Sequence, residues 1–425
     1  MNKLLVQAVT IADPGSGENG KIRDILIEDG IITRLNEKID ARGAEKFDGK
    51  GCFVSPGWFD MHANIGDPGL ETKEDFITGT AAAAAGGFTG IALMPNTLPP
   101  LHSKSEIDYV LSSCRDLPVE VFPVGCISYR REGNDIAEMF DMRRSGAVAF
   151  SDGDRPVQDT GLMMRAQMYV KGFDGLVISY AEDRGIAGNA GVNEGLTSTL
   201  LGMKGIPAMA EEVMVARDIA LCAYNGSRLH FTTVSTAGSV ELIRAARKKG
   251  LQVSADVAAH HLLLDDSSIA GFDSNYKVKP PLRDKADVKA LKEALKEGII
   301  DAVCSQHTPH EREFKEMEFE IASYGISAFE TAYAAFNMAL GKSLPVAAIV
   351  EKLAINPRKI LGLEIPVIRK GAPANLTIFD PACEWLLKRE NMRSKGKNSP
   401  FIGRQLKGKV FAVFNKGELI LNNKL

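Results

Sequence analysis

The sequence lacks the features that would place it in several classes of protein. Its six cysteines (Cys52, Cys114, Cys126, Cys222, Cys304 and Cys383) include no C-x-x-C pair, which argues against a cysteine zinc site or a disulfide framework and for reduced thiols. Excess basic charge is absent too. With a net charge of −3, neither nucleic acid nor an acidic membrane surface is an expected partner. Met1–Val9 has neither the long apolar core nor the small-residue cleavage site of a signal peptide. One charge-free run, Phe76 to Leu101, is long enough to raise the question of a membrane span. Gly86-Gly87, Pro95 and Pro99-Pro100 interrupt it, so it reads as a helix, a turn and a buried strand. The expectation is a soluble protein of the cytoplasm.

What is present is the composition of a globular protein: 425 residues, 45% hydrophobic and 25% charged. That length accommodates a barrel of about 250 residues and an appended domain. Near the start, Asp24–Thr33 has two β-rich runs around Glu28-Asp29-Gly30, a hairpin signal. The end repeats the style with Val410–Phe414, Asn415-Lys416-Gly417 and Glu418–Leu421. The two termini are therefore expected to meet in one small sheet domain. Between them lie eight candidate strands: Val54–His62, Thr89–Met94, Val119–Ile127, Ala147–Ser151, Leu176–Tyr180, Leu229–Ser235, Gln252–Val257 and Asp301–Gln306. Helical patterns alternate with them, including Asn134–Arg144, Ala208–Tyr224, Ser239–Lys249 and Asp287–Glu297, the last closed by Gly298. Eight alternations predict an α/β protein, a TIM (β/α)8 barrel, with a β-sandwich domain from both termini. The expected boundaries are 1–54 and 366–425 for that domain and 55–365 for the barrel. Ala81–Ala85 reads as a small helix face packed on the barrel, and Arg184–Gly191 as a mobile loop over it.

The chemistry is concentrated at predicted strand ends. In Ser55-Pro56-Gly57-Trp58-Phe59-Asp60-Met61-His62-Ala63-Asn64, side chains two apart share a strand face, so His62 and Asn64 project together. Two histidines at this spacing would form half of a zinc site, but an amide is a poor zinc ligand. This stretch resembles the cyclic-amidohydrolase superfamily, and Asp67-Pro68-Gly69-Leu70-Glu71-Thr72-Lys73-Glu74-Asp75 narrows the resemblance to class I dihydroorotases. Other shared motifs are Gly86-Gly87-Phe88-Thr89, His260-His261-Leu262, Asn356-Pro357 and Ser399-Pro400-Phe401-Ile402-Gly403.

The resemblance implies an amidohydrolase fold and a two-metal centre at the C-terminal barrel face, with six ligand positions. These fall on His62, Asn64, Gly153 (within Ser151-Asp152-Gly153-Asp154), Tyr180, Thr233 and Gln306. Asp152 and Asp154 are neighbouring carboxylates able to replace Gly153. The family's general base falls on Gln306, whose amide has no pKa near neutrality. Its arginine for the substrate carboxylate falls on Gly66. Of the substrate pocket, Asn96 and His310 match, while Lys279 stands where the family has an amide.

These substitutions imply a barrel without catalytic residues and with no cofactor. The nearest likeness is to inactive dihydroorotase-like proteins that act as structural partners of aspartate transcarbamoylase, with the chain itself a homodimer. The alternative is an active dihydroorotase, or a related cyclic-amide hydrolase, with an atypical zinc site that draws on His62, Asp152, Asp154, Glu182 or Cys304. A third reading is a sensor in which Lys279 pairs with a substrate carboxylate. The remaining polar residues at the mouth, Tyr180, Thr233 and Gln306, are expected to hydrogen-bond one another or trapped water. His230, three residues before Thr233, is expected on the opposite strand face. His260 and His261 are expected to pack and hydrogen-bond.

Overall fold

The computed structural model describes residues 3–422. Five strands open the chain: β1 (Lys3–Ile11), β2 (Ile22–Glu28), β3 (Ile31–Asn36), β4 (Glu45–Asp48) and β5 (Phe53–Pro56). The central strands are β6 (Trp58–Ala63), β7 (Phe88–Leu93), β8 (Glu120–Gly125), β9 (Ala149–Phe150), β10 (Leu176–Ser179), β11 (Val192–Asn193), β12 (Gly205–Ile206), β13 (Arg228–Phe231), β14 (Val253–Ala258) and β15 (Ala302–Cys304). Three close it: β16 (Leu376–Leu386), β17 (Gln405–Asn415) and β18 (Glu418–Leu421).

Both termini build one mixed eight-stranded sheet in the order β18-β17-β16-β5-β1-β2-β3, with β4 also paired to β1. Its two tight hairpins turn at Asp29-Gly30 and Lys416-Gly417, where both central residues have positive φ, the geometry that matches strand twist. The second sheet is parallel throughout, in the order β6-β7-β8-β9-β10-β13-β14-β15. A parallel bridge between Ala63 and His307 brings its two edges together. This is the expected barrel, with β11 and β12 paired to each other outside it.

The lower barrel interior is apolar, filled by Phe59, Met61, Ala92, Met94, Val124 and Ile178. Asp75 caps the helix Phe76–Ala85, accepting from the amide of Thr78. That helix buries Gly79, Ala82, Ala83 and Ala84, as the alanine run predicts. Among the described residues no helix is long and apolar enough to cross a membrane.

Three expectations need correction. The run Val54–His62 is two strands, because β5 pairs with the terminal sheet and β6 with the barrel. Gly57 is the pivot between them: a Cβ there would lie 2.0 Å from Asn375 Oδ1 and 2.2 Å from Thr89 Oγ1. The helix expected over 134–144 is only Met139–Ser145. Upstream, the backbone of Asp135 to Ala137 is tied instead to Ile127, Ser128 and Tyr129. Finally, Arg184–Gly191 is not a loose loop. Asp183 caps a helical turn, Arg184–Ala187, and Ala187 and Ala190 pack on Ile206 and Ala210.

Candidate active site at the barrel mouth

The centre of the site is a carboxylate that the ligand pattern did not point to. Asp256 on β14 is fully buried. It accepts from His230 Nε2 at 3.0 Å, Thr232 Oγ1 at 3.1 Å and the Thr233 amide at 2.6 Å. Cys304 Sγ lies 3.4 Å away on the other side. Burial would raise this carboxyl's pKa, but the hydrogen bond and charge of His230 hold it below its usual value. A lone charge inside an apolar barrel strand was the sequence signal for it, since such a charge needs partners.

His62 joins the same network. Its Nδ1 is 2.8 Å from Thr232 Oγ1. Asp256 can only accept, so the threonine hydroxyl donates to it and His62 Nδ1–H donates to the hydroxyl. Burial pushes the His62 pKa down, favouring a neutral ring. His230 meets this carboxylate with its ring, whereas Thr233 reaches it only through its backbone amide and turns its hydroxyl toward Gln306. The strand ends at Phe231, and Thr233 has a φ of +53°.

The other five positions to which the resemblance assigns ligands are occupied as follows. Asn64 donates from Nδ2 to Thr308 Oγ1 at 2.9 Å, and its Oδ1 accepts from Asn96 Nδ2 at 2.6 Å. Gly153 has a φ of +57°, and a Cβ there would lie 2.1 Å from Asn96 Oδ1. The Asn96 amide therefore fills the space into which any side chain at 153 would grow. Tyr180 is 5% exposed, and among the described residues its hydroxyl has no protein partner; burial pushes its pKa well up. Gln306, with a φ of +52°, donates to Lys279 O at 2.9 Å and, at 3.4 Å, to Thr233 Oγ1. Of the mutual hydrogen bonding expected among these groups, the Gln306–Thr233 contact is present, while Tyr180 stands apart.

The residues held in reserve point elsewhere. Asp152 accepts from the amides of Ile127 and Ser128, at 2.8 and 3.0 Å, and from the Ser128 hydroxyl, so it braces the loop after β8. Asp154 is exposed and paired with Arg131. Glu182 is paired with Lys279 Nζ at 2.8 Å, which also engages the lysine proposed to meet a substrate carboxylate. Burial, and then the charges of Asp256 and Asp60, push the Cys304 thiol well above its usual pKa, which disfavours a thiolate. His310 Nε2 lies 2.8 Å from Tyr324 O and the ring is buried. At Gly66, where the family arginine falls, a Cβ would meet Leu70 O at 2.1 Å. His261 Nε2 is 3.1 Å from Pro280 O, and His260 packs on it with ring centroids 4.6 Å apart.

Zinc in proteins takes about four ligands drawn from His, Cys, Asp and Glu. Among the described residues, no three such side chains are grouped so as to hold a metal ion. His62 alone of the six positions offers an imidazole, and its Nδ1 is engaged. The donor set does not fit a two-metal centre.

Comparison with known proteins places this barrel in a family. A sequence profile described as Dihydro-orotase-like matches residues 51–239. A protein of Pelotomaculum thermopropionicum named dihydroorotase is 42% identical, over 100% of this chain and 99% of its own. One of Geotalea daltonii with the same name is 41% identical, over 98% of this chain and 99% of its own. In fold, the chain superposes on the L-hydantoinase (dihydropyrimidinase) of Arthrobacter aurescens with a TM-score of 0.86. That match covers 99% of this chain and 96% of the other at 24% identity, a likeness of architecture. The motifs, the barrel with its terminal sheet and the full-length relatives agree: the chain belongs to the dihydroorotase family.

Proposed function

We propose that this protein is a non-catalytic member of the dihydroorotase family, a structural or regulatory component of pyrimidine synthesis rather than a hydrolase. One observation carries the reading: the six positions to which the resemblance assigns metal ligands and base present one imidazole, two amides, a phenol, a hydroxyl and a glycine. The reading is supported by the engagement of Asn64, Asn96, Thr233 and Gln306 with protein atoms. Aspartate transcarbamoylase is the proposed partner, with both proteins in the cytoplasm. The test is incubation of the purified chain with dihydroorotate, and separately with carbamoyl aspartate, in the presence of added zinc. No interconversion above buffer is expected; turnover that disappears in His62→Ala would overturn the reading. For the partner role, gel filtration of the chain mixed with aspartate transcarbamoylase from the same cell should give a joint peak, and separate elution would remove it.

A second reading is favoured by the relatives, which carry the name dihydroorotase at 41–42% identity along nearly their whole length. In it the chain is an active cyclic-amide hydrolase with an atypical zinc centre around His62. That centre would have to recruit Asp256 or Glu182 away from its present partner. The same assay separates the two readings.

A further inference from the structure

Between the barrel and the terminal sheet lies a cavity of about 520 Å³, within the size range of small-molecule sites. It is bounded by the helix Phe329–Leu340, by the end of β16 with the turn Arg389–Asn391, and by β17. None of the residues placed at the barrel mouth lines it. One wall is apolar, made by Trp385, Leu387, Met392 and Val410. The last three are buried, and Trp385 Nε1 donates to Gly408 O at 2.9 Å, which fixes the indole.

The same cavity is lined by an acid and a base that do not meet. Glu330, in the first turn of its helix, accepts from the amides of Arg393 at 2.9 Å and Ser394 at 3.5 Å. Each carboxylate oxygen keeps a further lone pair. Burial pushes the Glu330 pKa up to about 7, even though those amides and the charges of Lys397 and Arg393 pull it down. The carboxylate is therefore short of donors. The Arg393 guanidinium donates to Leu421 O at 3.3 Å, and among the described residues it forms no ion pair with Glu330 or any other acid. Tyr333, three residues after Glu330 on the same helix face, also lines the cavity. Among the described residues its buried hydroxyl has no partner.

These features select one kind of occupant. A ligand with only a positive group would leave Arg393 unmatched, and one with only a negative group would be repelled by Glu330. A neutral apolar molecule would satisfy neither. An α-amino acid carries an ammonium and a carboxylate on one carbon, so it can bridge an acid and a base that stand near each other without touching. Arginine is well suited to the carboxylate, which it grips with two parallel N–H groups, and the apolar wall beside the pair accommodates a large side chain.

We infer that this cavity binds a free α-amino acid with a large apolar side chain, its ammonium on Glu330, its carboxylate on Arg393 and its side chain against Trp385 and Met392. The site lies outside the barrel mouth, so the inference does not depend on whether the mouth is catalytic.

The test is calorimetric titration of the full chain with L-leucine, L-phenylalanine and L-tryptophan. At least one should bind with a Kd below about 1 mM. Glycine, N-acetyl-L-phenylalanine and L-phenylalaninamide lack the side chain, the ammonium and the carboxylate in turn, and each should bind at least about 10-fold more weakly. Glu330→Gln and Arg393→Gln should weaken binding by a similar factor while thermal melting of the unliganded chain stays at the wild-type value. No heat with any of the three amino acids up to about 5 mM, equal binding of the blocked analogues or glycine, or wild-type affinity in folded variants would each overturn the inference. Should a variant fail to fold, the comparison of analogues on wild type still decides it.

Discussion

The seam between the barrel and the terminal sheet and the mouth of the barrel are both lined with buried polar groups, yet the two are built differently. At the seam the groups form a chain of partners. Arg358 donates to Gly57 O at 2.6 Å and Thr89 Oγ1 at 3.1 Å, and Thr89 donates to Asn375 Oδ1 at 2.7 Å. Asn375 in turn donates to Asn415, which donates to Pro118 O at 2.9 Å. At the mouth, the floor around Asp256 has this quality, and Asn64, Asn96 and Gln306 find protein partners above it, but among the described residues Asn96 Oδ1 and the Tyr180 hydroxyl lack them. An unpaired buried polar atom costs about 1–3 kcal/mol. The contrast teaches that the seam stabilises the fold, whereas the mouth is held in place by it.

This comparison can be broken most decisively at Asp256. Asp256→Ala strands His230, Thr232 and the Thr233 amide in the barrel floor, and a loss of about 3–5 kcal/mol is expected in urea unfolding; a loss below 1 kcal/mol would show the floor to be as loosely built as the groups above it. Next in size is Gly153→Ala, which meets both a left-handed backbone and the Asn96 amide. A loss of about 2–3 kcal/mol is expected. Combining it with Asn96→Ala should recover roughly half, if crowding contributes as much as the backbone.

A matched pair then sets the seam directly against the mouth. Thr377 donates to Gly87 O at 2.7 Å and accepts from the Trp58 amide at 3.2 Å, so Thr377→Val should lower stability by about 1–3 kcal/mol. Tyr180→Phe removes a hydroxyl without a protein partner and should be neutral or stabilising; a loss above about 1 kcal/mol would reveal a hydrogen bond there.

A further effect concerns pH. Burial lowers the His261 pKa from 6.5 to about 4. Between those values the unfolded chain binds a proton that the folded ring refuses, so stability falls as pH drops from about 6.5 to about 4. The slope from one such group approaches about 1.4 kcal/mol per pH unit. Denaturation of wild type and His261→Gln at pH 7 and pH 5 should show a steeper decline in wild type, and parallel declines would remove this contribution.

Much of this architecture was legible because its signals are local. The hairpins at Asp29-Gly30 and Lys416-Gly417 and the alternation of apolar runs with helical patterns depend on near neighbours in the chain. The split at Gly57 has a local sign in Pro56-Gly57, but only the partners of the two halves, far away in sequence, show that they belong to different sheets. At the mouth, the sequence identified which residue types stand at the strand ends. Their orientation escaped it, because strand alternation stops where the strand does: Thr233 and Gln306 both have left-handed φ, so parity could not say where those two side chains point. Ion pairs such as Glu182–Lys279 join residues nearly a hundred positions apart, and no local pattern announces them.

The proposal that the mouth holds no metal centre can be checked through the metal content of the chain. Protein made in zinc-supplemented medium and purified without chelator would be assayed for bound zinc, alongside His62→Ala. The account predicts zinc far below one ion per chain in both, and no change in thermal melting when chelator is added. One or two zinc ions per wild-type chain, lost in His62→Ala, would contradict it.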